Sequence, residues 1–452
     1  MIDAHRRFVI AVLLLLASGA ALPGPSCEEA GEIGTIRRLT VEEAIDLATS
    51  VSPRLGALRS LEQGAEAGLR GARAEALPQF DLTAGYTRYS DVPDWAISLP
   101  APINFTHVIF PNIPDNYATR LGVWVPLYTG GRISKQIEAA EGERAAASME
   151  VRSGTADVAL ETATSYWSLV TALAAEKVLR EALAAYDAHL ADARNRERFG
   201  LAARNELLAV RVERDRAELA RIQSVSAAAV INADLVRLLD LPSTTRLEPA
   251  DPLERGAPPE EDLETLVGAA LESRPERAAL RARIEAADAR ARGARADRLP
   301  QARFSAGYDY ARPNKRIIPP EDRWEDTWDA SVLLSFKVFD SGRTAASVAQ
   351  REAQAAAARQ QLEDLERRIR FEVTQRLLDL TTAEAAVTVA EQSLLSAREN
   401  QRVAFERYGA GVIPSSELLD AEVALLRAGL GRTEELARLR LALARLDRAV
   451  GR

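Results

Sequence analysis

The stretch that decides the fold is a run of about 66 residues without proline, from Ile133 to Arg198: ISKQIEAAEGERAAASMEVRSGTADVALETATSYWSLVTALAAEKVLREALAAYDAHLADARNRER. At 1.5 Å per residue, a helix of this length extends roughly 100 Å. A second stretch of the same kind runs from Arg343 to Arg407, and both begin at a Gly-Arg pair and end at an Arg-aromatic-Gly turn. Because a globular domain has no use for helices this long, the sequence predicts two long helical struts.

The composition favours one helical architecture over several compact domains. Of 452 residues, 47% are hydrophobic, 27% are charged and only 5% are aromatic, which is typical of helical chains rich in Ala, Leu, Glu and Arg. The net charge of -8 gives no basis for nucleic-acid binding. A single cysteine, Cys27, excludes an intrachain disulfide and a cysteine-based zinc site, and the three histidines are scattered. We therefore predict no metal site and no cofactor.

Residues 1–21 have the pattern of a secretory signal peptide. Basic residues 5–7 precede an apolar run over 8–16, and small residues follow up to the expected cleavage near Ala20 or Ala21. A membrane anchor is one alternative, but the run is shorter than the twenty or so residues that a spanning helix needs.

Lipidation at Cys27 is a second alternative, although the residues before it lack the leucine usual in bacterial lipoprotein signals. No other segment has eighteen consecutive apolar residues, so we predict no transmembrane helix in the mature chain.

The chain contains an internal repeat. Three motifs, Gly-Ala-Arg-Ala, Leu-Pro-Gln and Gly-Tyr, occur twice at a constant offset of 222 residues, when Leu39 to Tyr89 is aligned with Glu261 to Ala311. After a loop that is 11 residues shorter in the second copy, further identities follow at an offset of 211. The sequence is thus predicted to consist of a first repeat over 39–242, a proline-rich linker over 243–260 and a second repeat over 261–452.

Each copy is predicted to contain two helices, two strands, a long helix and a returning helix. The strand segments show period-two alternation of apolar and polar residues. In copy one they are Gln79–Tyr89 and its predicted partner Tyr117–Leu127. In copy two they are Ala302–Tyr310 and Trp328–Phe336. Pro78 and Pro300 mark the helix-to-strand junctions. Gly131 and Gly342 supply backbone freedom where a strand becomes a helix.

Strands of about ten residues with this alternation match transmembrane barrel strands. Aromatic residues cluster at their ends, as interfacial girdles do: Tyr86, Tyr89, Tyr117, Trp124, Tyr128, Tyr308, Tyr310 and Trp328. A soluble four-stranded sheet lying on helices is the alternative, and alternation alone does not separate the two. The long struts and the signal peptide favour the membrane.

Four strands cannot close a barrel, since the smallest bacterial barrels have eight. Open edges cannot face lipid, because each unpaired backbone group there costs several kcal/mol. We therefore expect an obligate oligomer. The loop Ser90 to Asn116, which contains five prolines, is expected to lie outside the cell over the barrel mouth, or else to be a disordered surface loop.

Tandem copies of helix, strand, strand, long helix and helix, with Leu-Pro-Gln before the first strand and Gly-Arg after the second, resemble the TolC-type outer-membrane efflux proteins. The resemblance covers the chain from about Leu39 to the C-terminus. It implies a mainly α fold with a four-stranded membrane β segment, and a homotrimer whose twelve strands form one β-barrel in outer-membrane lipid. An α-helical barrel would continue it through the periplasm.

The same resemblance implies a transport function and its partners. The chain would be the outer-membrane channel of a tripartite efflux or type I secretion system. It would receive substrates from an inner-membrane RND or ABC pump through a periplasmic adaptor, which is a membrane fusion protein. A periplasmic coiled-coil adaptor or a structural spacer is the alternative function, although adaptors usually place a hairpin between flanking all-β domains.

The family's turn far from the membrane resembles Arg-Tyr-x-x-Gly followed by a polar residue and an acid. Copy two has this turn at Arg407 to Glu417, with Ser415 as the expected helix cap. Copy one, at Arg198 to Glu206, appears two residues shorter and lacks the second glycine. The expected adaptor contacts are Arg198, Phe199, Gly200, Arg407, Tyr408, Gly409 and Gly411.

Near this turn, four glutamates lie within about 80° on one helix face: Glu384, Glu391, Glu399 and Glu406. If this face lines the lumen of a trimer, it forms carboxylate rings that favour cations. A solvated outer face that pairs with Arg398 and Arg402 is the alternative. We further hypothesise that Arg194, Arg196 and Arg198 pair with the acidic residues across neighbouring hairpins and help keep the entrance shut.

No enzyme motif is apparent in the sequence. Its acidic residues lie on helical charge faces, and Gly-x-Ser-x-Gly and phosphate-loop motifs are missing; Thr129-Gly130-Gly131-Arg132 lacks the Lys-Ser/Thr ending of a Walker loop. The chain is therefore predicted not to be an enzyme.

Overall fold

A computed structural model of the chain describes residues 35–99, 102–103 and 105–452. The predicted signal peptide over residues 1–21 and Cys27 lie outside the described residues. Copy one comprises β1 (Ile36–Leu39), α1 (Val41–Val51), α2 (Pro53–Ala74), β2 (Gln79–Arg88), β3 (Trp95–Leu99), β4 (Phe105–Phe110), β5 (Asp115–Tyr128), α3 (Arg132–Arg198) and α4 (Arg204–Leu238). The linker contains β6 (Arg246–Pro249). Copy two comprises α5 (Leu263–Ser273), α6 (Pro275–Arg295), a 3₁₀ turn (Ala296–Arg298), β7 (Gln301–Arg312), β8 (Glu325–Ser335), α7 (Arg343–Gly409) and α8 (Ser415–Val450).

The two long struts exist as predicted. Helices α3 and α7 contain 67 residues each, which corresponds to about 100 Å. Helix α1 begins with a capping box, in which Thr40 and Glu43 satisfy each other's backbone N–H groups. Helices α2 and α6 each begin with a proline at their first position, where the missing N–H costs nothing.

Four helices lie side by side in the order α4, α3, α8 and α7. Helix α3 packs against both α4 and α8, and α8 packs against α7. One hydrophobic cluster in each copy holds this layer together: the first is built around Tyr166, Trp167 and Leu235, and the second around Ile369, Leu380 and Leu436. Because α4 and α7 each have a neighbour in this layer on one side only, they form its two edges.

The proline-rich linker is fixed to the helices. The hydroxyl of Tyr166 lies 2.7 Å from Oδ2 of Asp251 and 3.0 Å from the carbonyl oxygen of Leu39, and burial raises the pKa of this tyrosine. The linker also contributes β6, which pairs in parallel with β1. The sequence had not predicted this small two-stranded sheet.

The four predicted membrane strands form one antiparallel sheet in the order β2, β5, β7 and β8. Pairing of β2 with β5 and of β7 with β8 is as expected, and β5 with β7 joins the two copies. Among the described residues, β2 and β8 each pair on one side only. The sheet therefore has two free edges, as the helical layer has.

The segment 90–116 differs from the predicted loop. It contains the antiparallel hairpin of β3 and β4, in which Trp95 stacks on Phe110 with ring centroids 5.5 Å apart. Its prolines lie outside the two strands, where they remove no hydrogen bond from the strand pairing.

Among the described residues, one helix is long and apolar enough to cross a membrane, by length and composition only. It is α4, whose most apolar window has a mean hydropathy of 1.2 and is only 11% buried. This window includes large apolar side chains that are exposed in the single chain, such as Val225 and Val230.

Helix α3 approaches α6 through small residues. A Cβ atom added at Gly142 would lie 2.8 Å from the carbonyl oxygen of Ala282 and 2.9 Å from the Cβ of Ala286. Backbone and Cβ atoms cannot move away without separating the helices, so this position requires glycine.

We expect Gly142→Ala to lower the free energy of unfolding by about 1–3 kcal/mol, because it overpacks the contact between α3 and α6. The matched control is Gly64→Ala in α2, where the added methyl group meets open space and should stabilise the helix by about 0.5–1 kcal/mol. Chemical denaturation followed by circular dichroism measures both. Equal effects of the two substitutions would contradict the close packing.

Candidate functional site

The four-stranded sheet has one apolar and one polar face. Register places large apolar side chains of all four strands on the same side: Phe80, Leu82, Leu121, Val123, Tyr308, Trp328, Val332 and Leu334. The opposite side is mainly polar and carries Asp81, Thr83, Arg120, Asp309 and Asp329, while Trp124 and Leu333 lie on it toward the helical end of the strands. This is the arrangement of a barrel wall with lipid outside and water inside.

Nothing in the described part of the chain covers the apolar face. Phe80 is 75% exposed, Trp328 is 72% exposed and Leu334 is 68% exposed. A soluble sheet lying on helices would bury these side chains, so the structure does not support that alternative.

Pro78, Gly131, Pro300 and Gly342 each lie between a helix and a strand. Strands β2 and β7 begin directly after Pro78 and Pro300. Gly131 and Gly342 precede α3 and α7 with φ of 87° and 84°, a left-handed conformation that side chains other than glycine disfavour. The strand-to-helix transition thus has the same backbone geometry in both copies.

The far ends of the two hairpins form the tip, which we define as residues 199–203 between α3 and α4 and residues 410–414 between α7 and α8. Gly200 and Gly411 have φ of 73° and 72°. In each turn, two backbone N–H groups return to the last helical carbonyls, for example Leu201 to Arg196 at 2.8 Å and Val412 to Arg407 at 2.9 Å. Both turns are Schellman motifs.

This geometry corrects two predictions about the turns. Gly200 is equivalent to Gly411, so the turns have equal length and copy one is not two residues shorter. Phe199 consequently corresponds to Ala410 and not to Tyr408. Ser415 does not cap α8, because Pro414 occupies the cap position and no side-chain cap bond forms.

The predicted adaptor-contact residues differ in exposure. Phe199 is 69% exposed, while Tyr408 is only 6% exposed. Burial raises the pKa of Tyr408 to about 12, so its hydroxyl stays neutral. The remaining predicted contacts are exposed and flank these two residues: Arg198, Gly200, Arg407, Gly409 and Gly411.

Tyr408 belongs to a clamp that joins the two hairpins of the chain. The guanidinium of Arg196 lies 4.1 Å from the centre of its ring, and Nη2 lies 3.3 Å from its carbonyl oxygen. The imidazole of His189 packs edge-on against the same ring. Arg196 therefore contacts the other hairpin through a tyrosine, and not through the glutamates that we hypothesised.

His189 was not singled out by the sequence, yet it is central to the clamp. Its Nδ1 lies 2.8 Å from Oε2 of Glu422 and its Nε2 lies 2.9 Å from Oγ of Ser415. All three side chains are buried, and buried polar groups are costly unless they are paired. The hydrogen bonds connect α3 with α8 over 233 positions of sequence, so no local pattern could reveal them.

Three of the four predicted glutamates form ion pairs with arginines. Glu391 lies 2.6 Å from Arg255 of the linker. Glu399 and Glu406 share Arg402, at 2.6 Å each, which is the pairing of the alternative prediction. The guanidinium of Arg402 lowers the pKa of Glu399.

Two further residues of the predicted gate make no ion pair among the described residues. Glu384 is half-buried and Arg194 is exposed. Whether the glutamate face lines a lumen remains a prediction.

Comparisons with known proteins agree with this geometry. A sequence model of the family described as "Outer membrane efflux protein" matches residues 44–240 and 266–452, which correspond to the two copies. No curated protein sequence matches the chain.

Several solved structures have the same fold. A membrane protein from Pseudomonas aeruginosa is 21% identical with a TM-score of 0.74, over 91% of this chain and 93% of that one. VceC, an outer membrane protein of Vibrio cholerae, is 19% identical with a TM-score of 0.74, over 91% and 96%. The MtrE outer membrane channel of Neisseria gonorrhoeae, in its open state, is 18% identical with a TM-score of 0.75, over 91% and 88%.

The structural matches confirm the predicted fold class, and the family match covers both repeats. The members of this family are channels, not enzymes. The chain belongs to the outer membrane efflux protein family and is a protein of the bacterial outer membrane that extends into the periplasm.

Proposed function

We propose that three copies of this chain form one conduit, the outer-membrane channel of a tripartite efflux system. The observation that carries the proposal is the pair of free edges in both layers. Strands β2 and β8 are edges of the sheet, and α4 and α7 are edges of the helical layer. When one edge of a copy pairs with the opposite edge of the next copy, the copies are joined head to tail and close into a ring.

The edge helices carry a second apolar face. On α4, residues Leu208, Leu219 and Ile222 are 47–56% exposed and lie about 180° from the face that packs on α3, at 100° per residue. On α7, Phe371, Leu378 and Val389 are 61–70% exposed and lie about 180° from the face that packs on α8. Such faces suit contact between α4 of one copy and α7 of the next.

The proposed number of three copies follows from the need to close the β-barrel. One copy supplies four strands, and the smallest bacterial barrels have eight. Twelve strands from three copies leave room for a water-filled lumen, whereas eight strands leave an interior just wide enough for side chains or one small ligand.

The tip supports the proposed docking of a periplasmic adaptor. Three apolar side chains there are strongly exposed: Phe199 at 69%, Leu201 at 78% and Val412 at 63%. Solvent-exposed apolar side chains clustered at the end of a long hairpin are typical of a contact surface. We propose that the adaptor covers them and connects the channel to an inner-membrane pump.

We expect Leu219→Glu and Val389→Glu each to abolish the trimer, because each would bury an unpaired charge in the contact between copies. The heat-resistant trimer band in mild detergent should disappear while circular dichroism retains the helical signal. Leu395→Glu is the matched control: it is also an exposed apolar position on α7, but lies about 120° from this face. A trimer that persists in both edge variants would contradict the proposed contact.

The clamp at the tip should hold the entrance closed. We expect Arg196→Ala combined with His189→Ala to raise the single-channel conductance in planar bilayers, because it removes the contacts of Tyr408, Glu422 and Ser415 with α3. Arg438→Ala should leave conductance unchanged, because among the described residues Arg438 pairs only with Glu434 and Glu435 of its own helix. Purified wild-type protein that forms no channels would contradict the proposed function itself.

A further inference from the structure

Two exposed charged side chains at the edges of the sheet have no ion-pair partner within the described part of the chain. One is Asp81 on the edge strand β2, and the other is Lys337, two residues beyond the end of the edge strand β8. Arg120 on the neighbouring strand β5 pairs with Asp309 and Asp329 and not with Asp81. Three strand spacings, about 14 Å, separate the two edges. Asp81 and Lys337 therefore cannot pair within one chain.

The residues on either side of Lys337 also lack a neighbour. Strand β8 ends at Ser335, and the side chains that follow it are strongly exposed: Phe336 at 56%, Val338 at 85% and Phe339 at 86%. Their counterparts in copy one are residues 125–128, which belong to β5 and pair with β7 only, among the described strands. Residues 336–339 thus correspond to a strand segment whose partner strand is not in the same chain.

The two copies repeat the strand register as well as the sequence. Gln79 faces Trp124 in copy one, and Gln301 faces Ser335 in copy two. These positions are related by the same offsets, 222 and 211, that relate the repeated motifs. In a closed ring, the junction of β5 with β7 has a counterpart between β8 of one copy and β2 of the next. Its register follows from that of β5 and β7 by the same two offsets.

This register brings the two unpaired charges together. Pro126 faces Arg303 across β5 and β7. Lys337 is the counterpart of Pro126, and Asp81 is the counterpart of Arg303. In the ring, Lys337 of one copy consequently lies directly opposite Asp81 of the next. Residues directly opposite each other on antiparallel strands have Cβ atoms about 4.5–5.5 Å apart, a distance at which opposite charges attract.

The other pairs of this register are compatible on both faces of the sheet. Apolar side chains meet on the outer face: Phe336 with Leu82, Leu334 with Ala84 and Val332 with Tyr86. A slip by one residue would turn these side chains to the polar face. A slip by two residues would keep the faces but would separate Lys337 from Asp81. The charged pair is therefore the contact that distinguishes this register from the others of the same parity.

We propose that Lys337 and Asp81 form an ion pair between neighbouring copies, and that this pair fixes the register in which β8 of one copy joins β2 of the next. The proposal rests on the proposed function, because it needs copies that close into a ring. The partner of this surface is a second copy of the chain, on whose β2 residues 336–339 continue β8. The junction inside the chain pairs a proline with an arginine at the same place, so the ion pair belongs to the contact between chains alone.

Disulfide cross-linking of the full-length protein tests the register, in a Cys27→Ser background so that only introduced cysteines react. Thr83→Cys combined with Ser335→Cys should give covalent trimers on oxidation, because the two positions face each other between copies. Thr83→Cys combined with Leu333→Cys is the matched control. It places both cysteines on the same face but two residues out of register, and on the order of tenfold less product is expected.

Exchange of the two charges tests the ion pair itself. Asp81→Lys should lower the temperature at which the trimer band is lost in mild detergent, because like charges then face each other. Addition of Lys337→Asp should restore that temperature. Arg303→Glu is the matched control: it reverses the charge at the counterpart of Asp81, but faces the uncharged Pro126 and should leave the temperature unchanged.

The outcomes separate this inference from the proposed function. Trimers in which Thr83 and Leu333 cross-link as fast as Thr83 and Ser335 would overturn the inference alone. A double charge exchange that is as unstable as Asp81→Lys would do the same. Wild-type protein that forms no trimer, or a wild-type trimer that carries no current in a planar bilayer, would overturn the proposed function.

Discussion

The constraint on which the rest of the structure depends is that one chain cannot close either of its two layers. The sheet ends at β2 and β8, and the helical layer ends at α4 and α7, with no partner for these edges among the described residues. In lipid, unpaired strand edges are costly because no water is available to satisfy their backbone groups. The fold of the single chain is consequently one sector of a larger ring.

The internal repeat reduces the number of chains that are needed to close the ring. Because each chain supplies two equivalent hairpins of strands and two of helices, three copies supply six hairpins of each kind, which are twelve strands and twelve helices. The two halves are joined directly by β5 and β7 in the membrane and by α3 and α8 below it. The two halves are also joined at the tip, by the hydrogen bond between His189 and Glu422 and by the contact of the Arg196 guanidinium with the Tyr408 ring. The connections between the halves thus run along the full length of the molecule.

Local patterns predicted the parts of the structure that have local causes. The alternation of apolar and polar residues predicted the four membrane strands, and two long stretches without proline predicted α3 and α7. The internal repeat predicted the equivalence of Gly131 and Gly342. Sequence could not predict contacts whose partners lie about two hundred positions apart, such as His189 with Glu422 or Arg120 with Asp309. The equivalence of Gly200 and Gly411 became clear only from their positive φ angles, and the prolines around β3 and β4 concealed a hairpin.

We propose that the free edges cause three chains to share one tube. Native mass spectrometry of the protein purified in detergent is the decisive test, since it counts the chains in the assembly. We expect a single species of three chains. A single chain that retains its helices and remains stable in detergent would exclude the shared tube.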